Sequence, residues 1–299
     1  MALLRRALFL SMALLLACGA SPHPATTGVA AEDDVAAWDA WRASRREELA
    51  GPEGWVTLVA LDWLEPGEST LGSDPASTFV LPAPAPARVG RVVVSADEIR
   101  FVADPSVAVL QSGDAVQEIV LTPESEPLEV GTLRVVLIER GGRRALRIRD
   151  VESPARARLG EIPVFPYDPS MRLRANVHAC EEGRMLTLVN VLGMQVDEPC
   201  AALLDLTIDG HAVTLVATAG DAGGFFVMLR DTTAGEETYG AGRYLDVGAP
   251  DASGETVVDL NRLHTPPCGY THFATCPLPP HENELALPIR AGERYVAHE

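Results

Sequence analysis

The stretch "TLRVVLIERGGRRALRIRDV", Thr132 to Val151, decides the fold class. Two β-prone runs, TLRVVLIE and RALRIRDV, flank an Arg-Gly-Gly-Arg turn. Glycine takes positive φ without steric cost, so Gly141-Gly142 suits the tight turn that joins antiparallel strands. The same pattern recurs along the chain. LLDLTI and AVTLVA flank Asp209-Gly210, RVVV and IRFVA flank SADE, and WVTLVALDWL runs into EPGE. GGFFVMLRD, TVVDL and LALPI add further short runs of the same kind. After the N-terminal segment no long stretch carries helical period. The chain is therefore expected to be mainly β, an antiparallel β-sandwich or barrel-like domain with one N-terminal helix. That helix reads EDDVAAWDAWRASRREELAGPEG, with acids first, arginines late and Gly51-Pro52 as a stop. It is expected from about Asp34 to Leu49, docked by Trp38 and Trp41. Residues 158–171, RLGEIPVFPYDPSM, are the candidate seam between two halves. No sequence repeat crosses it, and the reading is one continuous β-rich domain over 33–299.

Composition narrows the partners. Apolar residues make up 47% of 299, enough for a sizeable core, and aromatics only 5%, so Val, Leu and Ala fill most of it. All 24 basic residues are arginine, against 42 acids and a net charge of −18. A chain this acidic is repelled by nucleic acid and by anionic membrane surfaces.

At the N-terminus, "MALLRRALFLSMALLLAC" places Arg5 and Arg6 before an apolar run from Ala7 to Ala17. The run is too short to span a bilayer, and its order predicts a secretory signal peptide over 1–17. Leu15-Leu16-Ala17-Cys18 resembles a bacterial lipobox. The resemblance implies acylation of Cys18, attachment to the membrane through that lipid, and a flexible tether over 18–32. An ordinary signal peptide with an incidental cysteine is the alternative. Gly19, rather than Asp, follows the cysteine, which by resemblance to sorting signals favours the outer membrane. Export would expose Cys180, Cys200, Cys268 and Cys276 to an oxidising compartment, and their even number favours two disulfides. Chain order favours Cys180–Cys200 and Cys268–Cys276, with three pairings open.

The chemistry-bearing residues concentrate in the C-terminal half. "FVMLRDTTAGEETYGAGRYLDV" brings Asp231, Thr232, Thr233, Tyr239 and Arg243 close together. Its Gly-x-Gly lacks the Lys-Ser/Thr of a phosphate loop. Arg243 has two readings: a buried arginine paired with Asp231 or Asp259, or a fork for a carboxylate or phosphate. "DLNRLHTPPCGYTHFATCPLPPHENEL", Asp259 to Leu285, adds Asp259, Asn261 and Arg262, then His264, Cys268, His272 and Cys276 at intervals of four. Pro266 and Pro267 deny the helix that would align such a ladder, so no metal and no cofactor is assigned. An extended chain gathering the ligands, or a catalytic pair of Cys268 with His264 or His272, stays as an alternative. Tyr239, Arg243, Asp259, Asn261 and Asn283 form the candidate pocket for a small polar or anionic ligand, with Arg243 on the anion. The chain then reads as a binding or envelope-support module. The rival is a hydrolase with Asp259 as general base and Arg243 as oxyanion stabiliser. No Gly-x-Ser-x-Gly, His-Glu-x-x-His or EF-hand pattern supports an enzyme, and the sequence leaves that question open.

"WRASRREEL", "GWVTLVALDWLEPGESTLGSD", "TYGAGRYL", the Asp259–Leu285 stretch and "IRAGE", in this order, resemble the uncharacterised bacterial domain-of-unknown-function family sixteen-eighty-four. The resemblance covers most of 38–294 and is strongest from Tyr239 to Glu293. It rests on Tyr239, Gly242 and Arg243, then on Asp259, Asn261, Pro266-Pro267-Cys268, the run Ala274 to Pro280, and Glu282, Asn283 and Leu285. Leu260 departs conservatively from it. The resemblance implies that both cysteines belong to the family pattern while His264 and His272 do not, so the ladder is fortuitous. It implies no reaction.

Overall fold

Leu133–Arg140 and Arg143–Asp150 pair antiparallel along their whole length, from Leu133 opposite Asp150 to Arg140 opposite Arg143. Gly141 and Gly142 turn the chain between them at φ of 55° and 72°. Asp209 and Gly210 do the same further on, at 48° and 81°. The computed structural model describes residues 32–295. The signal peptide, Cys18 and all but the last residue of the tether lie outside the described residues.

The helix α1 spans Glu32–Ala50. The strands before residue 151 are β1 (Leu58–Trp63), β2 (Gly67–Gly72), β3 (Phe79–Val80), β4 (Gly90–Val94), β5 (Ile99–Ala103), β6 (Leu110–Gln111), β7 (Asp114–Ala115), β8 (Glu118–Leu121), β9 (Leu128–Val130), β10 (Leu133–Arg140) and β11 (Arg143–Asp150). They form two sheets, ordered β1-β11-β10-β9-β6-β7 and β3-β2-β4-β5-β8. Both sheets feed one core: Leu133, Val135, Leu146 and Ile148 from the first meet Leu71, Val92, Ile99 and Phe101 from the second. This is sandwich packing of half-buried strands with period-two side chains.

After the short helix Ala155–Arg158 come β12 (Arg172–Ala179), β13 (Met185–Val189), β14 (Gln195–Pro199), β15 (Ala202–Ile208), β16 (His211–Ala219), β17 (Phe225–Leu229), β18 (Arg243–Val247) and β19 (Glu255–Asp259). Six of them make an antiparallel sheet ordered β18-β17-β16-β15-β12-β19, and β13 pairs with β14 as a separate hairpin. The sheet's inner face carries Leu204, Leu215, Val227 and Leu245, capped by Leu260, Leu263, Ile289 and Ala291 from the coil after β19. Its outer face carries Val216, Met228 and Tyr244, covered by Leu186 and Leu188 of the hairpin and by Ala274 and Cys276. The chain is thus mainly β with a principal N-terminal helix, as its turn pattern predicts.

Three details differ from that expectation. The β2–β3 pair is parallel. LALPI forms no strand, because Leu285 and Ile289 serve as plugs for the sheet's inner face instead of extending it. In α1 the buried positions are Trp38, Arg45 and Leu49, one helical face, while Trp41 is half-buried. Arg45 gives its charge to Glu293 at 2.9 Å and also donates to the Thr265 carbonyl at 3.1 Å. Trp38 donates its indole N–H to the Asn261 carbonyl at 3.1 Å. The first helix is therefore fastened to the last segment of the chain.

Candidate functional site

Arg243 resolves in favour of the buried pair. It is 1% exposed and donates to Asp231 Oδ2 at 2.7 Å. Its two terminal nitrogens also reach the carbonyls of Ile289 at 2.8 Å, Glu293 at 3.3 Å, and Ala291. Asp231 is equally sealed and accepts from the amide and hydroxyl of Thr233 at 2.9 and 2.6 Å. Burial pushes the Asp231 carboxyl up, but Arg243 and the Thr233 hydrogen bonds outweigh it and hold the pKa below the usual range. Gly242, at φ +93°, lets the chain enter this arrangement, since a Cβ there would stand 2.6 Å from the Leu229 carbonyl oxygen. The Arg243 Nε has no hydrogen-bond partner, but the side chain is sealed and its two terminal nitrogens are spent on Asp231 and the carbonyls, so no ligand anion or oxyanion reaches it.

The other predicted pocket residues are braces too. Asp259 accepts from the Asn261 amide and side chain at 3.2 and 3.0 Å and pairs with Arg262 at 3.5 Å. Asn261 is 1% exposed and exchanges hydrogen bonds with the backbone of Asp168 in both directions, each 2.9 Å. Asn283 is fully buried. Its amide donates to the Val216 and Met228 carbonyls at 2.8 Å and accepts from the Val216 N–H at 2.9 Å. Tyr239 gives its hydroxyl to the Cys268 carbonyl at 3.0 Å and sets its ring edge-on to Tyr295. Arg243 and Asp259 share no partner, so neither the five-residue pocket nor the Asp259–Arg243 hydrolase has its geometry. The reason is physical: a guanidinium or carboxamide sealed inside a protein must spend its polar atoms on fixed partners.

The cysteines divide. Cys180 and Cys200 form a disulfide. Cys268 and Cys276 are free thiols, contrary to the expected second disulfide. The Cys276 sulfur accepts the Cys268 N–H at 3.2 Å. A hydrogen bond between the side chains lowers the Cys268 pKa, and the same bond with burial raises that of Cys276. His264 is buried against Tyr244, and burial pulls its pKa down to about 3, with Arg45 adding repulsion. Its ring is occupied in packing and in a 3.3 Å contact with the Arg262 carbonyl.

The open site lies elsewhere. A cavity of about 380 Å³ sits between the β13–β14 hairpin and the outer face of the C-terminal sheet. Thr218, Phe226 and Met228 line it from β16 and β17, and Leu188 and Val196 from the hairpin. Thr275 and Pro277 close one side, and Arg140, at the tip of β10, reaches it from the N-terminal sandwich. Asn190 also lines it, and holds the hairpin turn by accepting from the amides of Leu192 and Met194 at 2.9 and 3.0 Å. The volume is in the small-molecule range, and mostly apolar walls with few polar groups are usual for a ligand seat between packed units.

Beside this cavity stands Arg147. On β11, Leu146 and Ile148 point into the sandwich core, so Arg147 points to the sheet's opposite face. That alternation marks it from sequence as a solvent-facing residue. The C-terminal half covers the face instead, and Arg147 is 7% exposed. Its Nη2 donates to Thr275 Oγ1 at 3.3 Å and its guanidinium lies over the Trp55 ring at 5.6 Å. Its Nε has no hydrogen-bond partner. Burial, then Arg140 and Arg149, pushes the pKa down to about 10, so the group remains cationic at neutral pH.

Residues 157–294 match the family model described as "Protein of unknown function (DUF1684)". Over these residues the chain is similar to that family. The family segment holds the C-terminal sheet, the coil that plugs it and the floor of the cavity; the sandwich, with Arg140 and Arg147, lies outside it. An uncharacterized protein of Haloarcula marismortui, solved by solution NMR, is similar at 29% identity over 48% of this chain and 80% of that one, with a TM-score of 0.38. A chain of the crystal structure of the FhaA FHA domain complexed with the intracellular domain of Rv3910 aligns at 14% identity over 30% of this chain and 97% of that one, with a TM-score of 0.22. No curated protein matches the chain.

Proposed function

We propose that the protein is a ligand-binding module carried on the bacterial envelope, with the cavity between the β13–β14 hairpin and the outer face of β16–β17 as its seat. The observation that carries this reading is the cavity itself: about 380 Å³ of largely apolar space at the junction of the sandwich and the family segment. The polar residues that would compete for the role are consumed as internal braces. Phenylbutanol, a neutral apolar probe, is expected to raise the thermal unfolding midpoint of the purified chain, because a ligand that prefers the native state stabilises it by mass action. Ala201→Trp, which fills the cavity from its wall, is expected to abolish that rise. An undiminished rise in the variant would place the ligand elsewhere and end this reading.

Attachment to the outer membrane through an acylated Cys18 belongs to the same proposal. It is supported by the charged, apolar and lipobox-like order of the first residues and by the Cys180–Cys200 disulfide, which suits an oxidising compartment. Among the described residues no helix is long and apolar enough to cross a membrane. Expressed in bacteria, the chain is expected in the membrane fraction, and Cys18→Ala is expected to move most of it out. Equal membrane partition of the two would overturn the lipid anchor.

A further inference from the structure

We infer that the cavity takes its ligand by an anionic end, a carboxylate or phosphate group lodged against Arg147, with the apolar body lying on Phe226 and Met228. This rests on the cavity being the ligand seat and names the chemistry of what enters it.

The argument starts from an imbalance. A buried cation costs several kcal/mol even after local relaxation, and proteins normally offset it with an acid. The chain does this consistently elsewhere: Arg243 has Asp231, and Arg45 has Glu293. Arg147 is buried to a similar degree and has no acidic partner. What it has is one hydroxyl and one aromatic face. A cation–π contact is worth about 0.5–2 kcal/mol and a neutral hydrogen bond about 1 kcal/mol, so the two fall short of the cost. Arg140 and Arg149 repel Arg147, although Arg149 is paired with Glu53 at 3.4 Å. Glu198 lines the cavity but forms no ion pair with Arg140 or Arg147. In a protein with 42 acids and 24 bases, two guanidiniums with no ion-paired acid are unusual, even with Glu198 on the cavity wall.

Geometry says where the missing anion goes. Thr275 joins the two features: its hydroxyl receives Arg147 at 3.3 Å, and the residue lines the cavity. Arg140 lines the same cavity from the rim. An oxyacid group entering beside Thr275 would meet the hydroxyl that Arg147 holds from behind and share the cavity with Arg140. Arg147 does not itself line the cavity; it sits behind Thr275, and its planar guanidinium suits carboxylate and phosphate oxygens. Phe226 and Met228 then offer an apolar floor to the rest of the molecule. The bare anion lacks that floor and the bare hydrocarbon lacks the charge, so the fit is to a molecule with both.

The test uses two probes with the same apolar body. Phenylbutyrate and phenylbutanol are titrated calorimetrically into the full chain and into Arg147→Met. The full chain is expected to bind phenylbutyrate at least about tenfold more tightly than phenylbutanol. Arg147→Met is expected to remove that preference, leave phenylbutanol binding unchanged, and melt at a higher temperature without ligand, because the unbalanced charge is gone. Arg147→Lys keeps the charge without the planar fork and is expected to retain a reduced preference for phenylbutyrate. Equal affinity for the two probes in the full chain, with both weakened by Ala201→Trp, would leave the cavity reading standing and overturn the anion subsite. Binding of both probes unaffected by Ala201→Trp would overturn the cavity and the subsite together.

Discussion

Arg243→Met is expected to lower the stability of the protein by about 3–5 kcal/mol, the range for breaking a buried ion pair from one side. The substitution leaves Asp231 sealed without its counter-charge and strips a donor from the carbonyls of Ile289, Ala291 and Glu293. It should appear as a drop in the urea midpoint at unchanged slope. Removing both charges, in Asp231→Leu with Arg243→Met, sharpens the point. Buried pairs elsewhere have been exchanged for apolar residues at little cost. Here the double variant is expected to stay well below wild type, since the three carbonyls still lack a donor and the amides of Thr233 and Ile289 lose their acceptor. Full recovery in the double variant would mean that Arg243 contributes through its charge alone and not as a clamp on the C-terminal coil.

Asn283→Asp is expected to cost at least about 3 kcal/mol at neutral pH, more than Asn283→Ala. The register that sets Thr218 opposite Phe226 would next bring Val216 opposite Met228. The Asn283 carboxamide stands between those two, donating to both carbonyls and accepting from the Val216 N–H. It completes the ladder as a peptide group would. Alanine leaves the three backbone groups unpaired. Aspartate keeps the shape but aims a carboxylate oxygen at two carbonyl oxygens in a sealed site, so it must either carry an unpaired charge or take up a proton. Unfolding curves for the two variants decide it, and an aspartate variant within about 1 kcal/mol of wild type would contradict this account.

What the sequence disclosed follows from which interactions are local. Gly141-Gly142 and Asp209-Gly210 announce their hairpins because positive φ is a property of the turn residues themselves. The alternation in β11 correctly separates Leu146 and Ile148 from Arg147. It could not show that the far half of the chain covers Arg147, since that depends on Thr275, over a hundred residues away. The same limit explains the failed pocket. Tyr239, Arg243, Asp259, Asn261 and Asn283 look like a ligand set because buried braces and binding groups draw on the same residue types. Only the partners distinguish them, and those partners are mostly backbone atoms that no side-chain pattern reveals. LALPI has the composition of a strand, yet it plugs the inner face of the sheet, because what matters there is apolar volume.

The placement of these braces also bears on the order of events as the chain is made. Among the described residues every strand is finished by Asp259. Arg243, in β18, must wait for carbonyls at 289 to 293, the gap between β16 and β17 waits for residue 283, and Arg45 of the first helix waits for Glu293. A chain delivered from its N-terminus can close the sandwich early. The C-terminal sheet then stays provisional, with a buried arginine and an open ladder, until the final stretch arrives to lock it.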